Sequence, residues 1–502
     1  MPTLPRPAPT SLDLLKLAPV PALLSRVRAE LSASFVAGRP TRVSRAPGRL
    51  DVMGGIADYT GSLVCEAPLD RAAAVAIQAR DDRQVQVFSF NLFDEQKPFT
   101  LIVPLDTLAN TPIDKLRAEF AQPGRQWGGY LAGCLAILHD EKRLDLNDPA
   151  LRGVNIALLS DVPLGAGVSS SAAIEVATMM GLLSHYGLDG SPPRPTPQGL
   201  SPLDPMKIAA MCQRVENQIV GAPCGIMDQA ASCAAAPGAL MRMKCQPHEL
   251  LDPLFLPADV RAIGINSNVK HSVGGGMYGR TRCAAFMGHK IILEKMKQIG
   301  RNAGRELISD PTGGYLANLD LDDYKRLFRP YLPEQIKGGQ FLLQYGGTID
   351  KATHVEPDTG YHVQSATDHH VFEASRVRNF ADFIERAAAL PVGDPQRKLL
   401  LDKAGHLMYA SHISYTKDAL LGADECDLLV DLARQRESAG IYGAKITGGG
   451  SGGTVAILCD IGETVDAAVT EIMSEYEKKT GLKPEAFLSN SPGAWAVGTA
   501  VV

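Results

Sequence analysis

Two carboxylates twelve residues apart, Glu216 and Asp228, stand on either side of a break that contains Gly221, Pro223 and Gly225. Their settings differ, and so does the chemistry open to each. A hard cation such as Mg²⁺ needs little from a protein beyond one carboxylate and a hydroxyl, since phosphates and water complete its oxygen shell. Glu216 fits that task. Asp228 follows the apolar Ile226 and Met227, which implies a buried carboxylate that keeps its charge only when paired and can accept the proton of an alcohol. Arg49, in Ala46-Pro47-Gly48-Arg49, offers a permanent planar cation suited to phosphoryl oxygens. Taken singly, the aspartate reads more readily as a capping or structural group and the arginine as a surface or ion-paired one.

A phosphate cradle lies between them in the chain. Pro163-Leu164-Gly165-Ala166-Gly167-Val168-Ser169-Ser170-Ser171 runs straight into Ala172-Ala173-Ile174-Glu175-Val176-Ala177, a loop feeding a helix. The first N–H groups of such a helix lack intrahelical partners and carry the positive end of its dipole, and glycines let the main chain close on an anion. The stretch lacks the Gly-Lys-Ser/Thr ending of a P-loop. Charge neutralisation must therefore come from elsewhere, and Arg49 is the candidate. A hydroxyl of Ser170 or Ser171 can complete a Mg²⁺ site with Glu216. A third glycine run, Lys445-Ile446-Thr447-Gly448-Gly449-Gly450-Ser451-Gly452-Gly453, either supports the loop and the catalytic geometry from beside the site or simply packs. The three in this order imply ATP-dependent phosphorylation of a small molecule.

Groups so far apart in the chain need a large folded body to bring them together. At 502 residues two lobes are expected, and a composition 45% apolar and 21% charged excludes disorder and fibrous repeats. A net charge of −5 gives no electrostatic case for a nucleic-acid or anionic-membrane partner. Nine cysteines without a Cys-x-x-Cys pair read as core thiols in a reducing compartment. Prolines at positions 2, 5, 7 and 9 stand where a secretory leader would place its apolar run, so a cytoplasmic location is expected. His369-His370 shows no metal spacing, and nothing signals the oligomeric state.

Periodicity predicts a helix within 12–33, sheet strands across 42–86, a helix over 126–139, and a strand over 154–159 leading into the phosphate loop. After the proline-dense stretch 191–205, a helix is expected over 206–220. A strand over 260–267 opens the second lobe, followed by helices over 281–299, 370–390 and 397–411 and strands near 454–459 and 494–501. The class is α+β.

Several motifs together resemble those of the GHMP kinases, the family of galactokinase, homoserine kinase, mevalonate kinase and phosphomevalonate kinase. Residues 46–59, 163–173, 216–229 and 447–453 are similar, in order, to galactokinase motifs. So are Asn268-Val269-Lys270-His271-Ser272 with Tyr278-Gly279-Arg280-Thr281-Arg282-Cys283, and Gly405-His406-Leu407-Met408-Tyr409-Ala410-Ser411-His412. The first forty residues and 307–366 are poorly covered. The resemblance implies a two-lobed fold with the active site in the cleft between lobes: 1–35 an extension, 36–255 the ATP-binding lobe, 256–502 the C-terminal lobe. It implies Asp228 as the catalytic aspartate with Arg49 as its charge-stabilising partner. Asp58, Gly225 and Tyr278 become sugar-contacting positions, with Gly55 beside them, and Ser170 or Ser171 with Glu216 become Mg²⁺ ligands. The cradle of ATP is Gly165, Ala166, Gly167, Val168, Ser169, Ser170 and Ser171, with Trp127 bordering the adenine.

One departure from the pattern bears on the substrate. Galactokinases carry Gly-Glu-His-Thr-Asp-Tyr where this chain has Gly54-Gly55-Ile56-Ala57-Asp58-Tyr59. In the family that glutamate engages the hydroxymethyl group at carbon six, so Gly55 removes an acceptor and Ile56 makes the corner less polar. A hexose would bury an unpaired hydroxyl at a cost of roughly 1 to 3 kcal/mol, about one to two decades in preference. L-Arabinose keeps galactose's ring stereochemistry and lacks that group. The variant motif, and the segment from 341–345 to 361–363, are similar to plant-type L-arabinokinases. The expected reaction is ATP plus L-arabinose giving ADP and L-arabinose 1-phosphate, and Gly55→Glu is expected to move preference toward galactose. The alternatives are a galactokinase or kinase of a related sugar, and a non-catalytic sugar and ATP sensor, against which Arg49, Glu216 and Asp228 argue.

Overall fold

Strands β1 (Thr41–Met53) and β2 (Leu63–Ala79) form the spine of the computed structural model, which describes residues 14–189, 203–269, 276–304 and 309–502. The N-terminal prolines, most of the proline-dense stretch and Lys270, His271 and Ser272 lie outside the described residues. In β2 the run Ala72-Ala73-Ala74-Val75-Ala76-Ile77 is buried throughout, as a central strand covered on both faces requires. It pairs antiparallel with β1, with β5 (Val154–Ser160) and, near its start, with β6 (Ala239–Lys244). Beyond β5 lie β3 (Gln84–Ser89), parallel to it, and the antiparallel edge strand β4 (Thr100–Pro104). The two-residue strands β7 (Glu249–Leu250) and β8 (Leu254–Phe255) extend β6.

The register of β1 against β2 shifts between Pro47 and Arg49. The Ala46–Arg49 segment therefore runs inside one continuous strand. A central strand accepts a residue without an N–H only at such a bulge, and the bulge re-aims the side chain that follows. That side chain is Arg49, which is 3% exposed.

Helix α1 (Val20–Glu30) packs on β2 and β5, α2 (Gln126–Asp140) packs on α3 (Ser170–His185), and α3 lies across β1 and β2. Ser169 caps α3 from a left-handed conformation, φ 61°, a strained backbone of the kind that recurs at ligand clamps. Helix α4 (Pro205–Arg214) does not continue regularly to residue 220 as expected. It widens into a π-helical turn, Val215–Val220, that stops at Gly221, and α5 (Met227–Ala234) follows.

The second sheet is antiparallel, in the order β12 (Ile441–Ile446), β13 (Thr454–Asp460), β9 (Val260–Asn266), β14 (Glu485–Phe487). Helices α6 (Met277–Asn302), α7 (Val363–Ala388) and α8 (Pro395–Lys417) pack in series, α8 covers β12, and α9 (Asp424–Arg434) and α10 (Glu463–Thr480) complete the layer. The strand expected over 494–501 shortens to β15 (Thr499–Val501), because Ala494–Val497 closes a helical turn, and β15 returns to pair with β1. The described part of 307–366 adds the ribbon β10 (Ile336–Lys337) with β11 (Gly360–Tyr361) and a satellite core of Tyr324, Phe328, Phe341 and Tyr361 against α6. No described helix is long and apolar enough to cross a membrane.

Candidate active site

Arg49 and Asp228 meet at the floor of a cleft of ≈ 250 Å³. Arg49 Nε and Nη2 both donate to Asp228 Oδ1, at 2.9 and 2.7 Å, and Nη1 donates to the Gly167 carbonyl at 2.7 Å. One guanidinium thus ties the aspartate to the phosphate loop. Burial works against the Arg49 charge, but Asp228, Glu66 and Asp51 outweigh it and raise its pKa, so the cation persists. Asp228 stands in the first turn of α5, where the helix dipole favours a carboxylate. Its side chain is 23% exposed and so open to the cleft.

The bulge also brings Arg49 to Glu66, which carried no signal in the sequence. Glu66 Oε2 lies 3.4 Å from Arg49 Nε, and neither of its oxygens has a hydrogen-bond partner among the described residues. Burial, Asp51 and Asp228 push its pKa well above the carboxylate range, against the pull of Arg49 and Lys445.

The loop residues Gly165, Gly167, Val168, Ser169, Ser170 and Ser171 line the cleft. The Ser169 hydroxyl is buried and has no partner among the described residues, an orphan polar atom of the kind a phosphate oxygen would satisfy. Ser170 Oγ donates to the Val162 carbonyl at 3.4 Å, while the Ser171 hydroxyl stands close enough to Glu216 to lower its pKa. A carboxylate beside a hydroxyl fits a hard cation that keeps most of its shell from water and phosphate. Burial and Asp228 push the Glu216 pKa up to about 7, with Ser171 opposing them. Gln229 Nε2 bridges Glu216 Oε2 at 2.7 Å and Glu175 Oε2 at 3.2 Å, a buried network that orients Glu216.

Ala166 and Trp127 stand apart from the other expected residues. Ala166 is buried behind the loop and its carbonyl accepts from Thr454 Oγ1 at 2.8 Å, which joins the phosphate loop to the third glycine run. Trp127 does not line this cleft; its indole N–H donates to the Gly124 carbonyl at 3.1 Å. Tyr130, three residues further along α2, lines the cleft instead.

Gly55, Ile56, Asp58, Gly225 and Tyr278 gather at the other end. Asp58 Oδ1 accepts from the Tyr59 N–H at 2.6 Å. Burial and the Asp228 charge raise its pKa to about 7, opposed by Arg282. Arg282 forms a bidentate pair with Asp350 at 2.9 Å and lies 4.7 Å over the Tyr59 ring, so a residue of the poorly covered 307–366 region buttresses this corner. Gly225 makes room for Asp58: a Cβ there would fall 1.5 Å from Asp58 Oδ2. Gly55 has φ +46°, and a Cβ on it would fall 1.8 Å from the Tyr415 hydroxyl. The simple Gly55→Glu exchange is therefore no test of sugar preference, because the new side chain would collide with Tyr415 before reaching a ligand.

Residues 130–235 match the GHMP kinases N terminal domain, residues 397–478 the GHMP kinases C terminal domain, and residues 33–79 the galactokinase galactose-binding signature. The chain is 34% identical to an L-arabinokinase from Arabidopsis thaliana over 91% of its own length, and spans 46% of that relative. It is 30% identical to a galactokinase from Chloroflexus aggregans over 88% of its length and 90% of the relative's. The fold matches Lactococcus lactis galactokinase complexed with galactose with a TM-score of 0.68, 19% identity, and 95% and 99% of the two chains covered. It matches Methanococcus jannaschii mevalonate kinase with a TM-score of 0.50, 15% identity, and 89% and 98% covered.

Proposed function

The chain belongs to the GHMP kinases, in their galactokinase-like branch, and from that membership we propose that it transfers the terminal phosphoryl group of ATP to the anomeric hydroxyl of L-arabinose. The products are ADP and L-arabinose 1-phosphate. The observation that carries the chemistry is the Arg49 guanidinium, bonded at once to Asp228 and to the Gly167 carbonyl of the phosphate loop. In this reading Asp228 orients the sugar hydroxyl and takes its proton, while Arg49 holds that carboxylate in place and faces the transferring group. Phosphoryl transfer passes through a loose transition state, so positioning and fixed positive charge supply most of the rate and base catalysis a smaller share. The amides at the start of α3 and the Ser169 hydroxyl cradle the phosphates. Mg²⁺, held by Glu216 and a hydroxyl of Ser171 or Ser170, would neutralise charge on the phosphate oxygens when bound.

Residues 36–255 supply the ATP-binding lobe in this reading and 256–502 the second lobe, whose last strand returns to the first sheet. Asp58, Tyr278 and the turn at Gly55 receive the sugar. The L-arabinose assignment rests on Gly55 and Ile56, which offer no side-chain acceptor to a hydroxymethyl group, and on the 34% identical L-arabinokinase. A galacto-configured hexose is the second reading, favoured by the galactose-binding signature over residues 33–79. A sugar panel with coupled ADP detection separates them: kcat/KM for L-arabinose should exceed that for D-galactose by about tenfold or more. The reverse order removes the pentose assignment, and no ADP with any sugar removes the kinase.

A further inference from the structure

Three successive backbone amides of the turn that walls the sugar end are each held by a buried side chain from a different element. The Gly54 N–H donates to Glu373 Oε1 at 3.3 Å, the Gly55 N–H to Asp51 Oδ1 at 3.0 Å, and the Ile56 N–H to the Tyr415 hydroxyl at 3.0 Å. These partners stand on α7, β1 and α8. The two carboxylates are neutralised in place: Lys445 Nζ is 2.5 Å from Asp51 Oδ2 and Arg376 Nε 2.6 Å from Glu373 Oε2. Tyr415 differs from them. It is uncharged and fully buried, and while its oxygen accepts from Ile56 its proton goes to the Gly448 carbonyl at 3.0 Å. Its ring is fixed edge-on to His369, centroids 4.9 Å apart, with Lys445 Nζ 5.2 Å from its centroid.

Tyr415 also decides what position 55 can be. Its hydroxyl occupies the space of a Cβ at Gly55, and Tyr415 Cζ is 2.9 Å from that point. Glycine and tyrosine therefore interlock: the phenol requires a residue without a side chain, and that gap gives the phenol its route to the Ile56 amide. Gly55 and Ile56 both line the cleft there, and neither carries a polar side chain. Building on the kinase reading above, we propose that Tyr415 is the positioning residue that sets sugar selectivity. It holds the Gly55–Ile56 wall in place and keeps position 55 empty of any acceptor for an exocyclic hydroxymethyl group.

The test compares wild type and Tyr415→Phe, which keeps the ring and loses both hydrogen bonds, with L-arabinose, D-galactose and ATP each varied. Sugar KM should rise and the pentose-to-hexose ratio of kcat/KM should fall by about fivefold to tenfold, with a smaller change in kcat and an unchanged KM for ATP. An active enzyme whose ratio is unchanged in the variant overturns the assignment, as does one in which the KM for ATP rises in step with that for sugar, the mark of a general loosening. A wild-type enzyme that phosphorylates no sugar overturns the kinase reading itself. Thermal unfolding needs no turnover and reads the interlock directly: Gly55→Ala should lower Tm more in wild type than in a Tyr415→Leu background. Additive losses in Tm would overturn it.

Discussion

Gly225→Ala adds a single methyl group, and its consequence can be worked from distances. The φ of Gly225 is not positive, so alanine meets no left-handed backbone penalty there. The new Cβ would lie 1.5 Å from Asp58 Oδ2, 2.3 Å from Cγ and 2.8 Å from Oδ1, where real Cβ contacts under 3.0 Å essentially do not occur. The carboxylate must retreat by at least 3.0 − 1.5 = 1.5 Å. Asp58 is 6% exposed and its Oδ1 is engaged by the Tyr59 amide, so the movement breaks an existing bond and displaces the acceptor proposed for the sugar ring. A hydrogen bond to a charged group is worth about 1.5–3 kcal/mol, and a misplacement of about 1 Å can cost on the order of a hundredfold. We expect sugar kcat/KM to fall by about one to two decades while the KM for ATP stays within about twofold, in a coupled ADP assay with sugar varied at saturating ATP. In an Asp58→Ala background the further loss should vanish, since the colliding group is gone. Sugar kcat/KM within about threefold of wild type, or the same loss in both backgrounds, would refute the reasoning.

Asp228→Asn preserves the shape of the Arg49 contact and removes the proton acceptor. Its kcat should fall by about 10²- to 10⁴-fold with nucleotide binding kept by calorimetry, and near-normal turnover would show that Asp228 is not the base. Glu66→Gln should leave turnover within about twofold, because Glu66 approaches Arg49 only to 3.4 Å while Asp228 takes two hydrogen bonds from the same guanidinium; a tenfold loss would mean that the Glu66 carboxyl is needed. The same variant reads the pH dependence of stability. The folded-state pKa of Glu66 is raised above its ordinary 4.5, so above that pH the unfolded chain releases a proton that the fold retains. Wild type must therefore lose stability relative to Glu66→Gln as pH rises from about 4.5. The difference between the two is the quantity to measure, in urea at several pH values, because the buried His369 and His370, with lowered pKa values, bend the total the other way. A constant difference would show that Glu66 is ionised in the fold.

The loop-to-helix geometry of residues 163–171 was legible in the amino-acid sequence because it is local. Glycines, serines and the helix that begins at Ser170 are consecutive, and the amides they expose depend on backbone geometry within one turn. The Glu216 and Asp228 pair was legible for a similar reason, since a short glycine- and proline-containing break brings two helix ends together. The sequence pointed to Trp127 on α2, whereas Tyr130, three residues further along the same helix, is the aromatic residue that lines the cleft. Arg49 was recognised, but its setting was not: only pairing with the partner strand β2 makes Pro47 and Gly48 a bulge inside one strand.

What only the tertiary structure decided are the buried polar partners. Lys445 and Asp51 are 394 residues apart in the chain, and Tyr415 and Ile56 are 359 apart. A charged or hydroxyl side chain within an apolar strand or helix leaves no periodic trace of what will satisfy it. Its burial is tolerable only once another element supplies the compensating group, and that group exists only where the two sheets and their helices have packed.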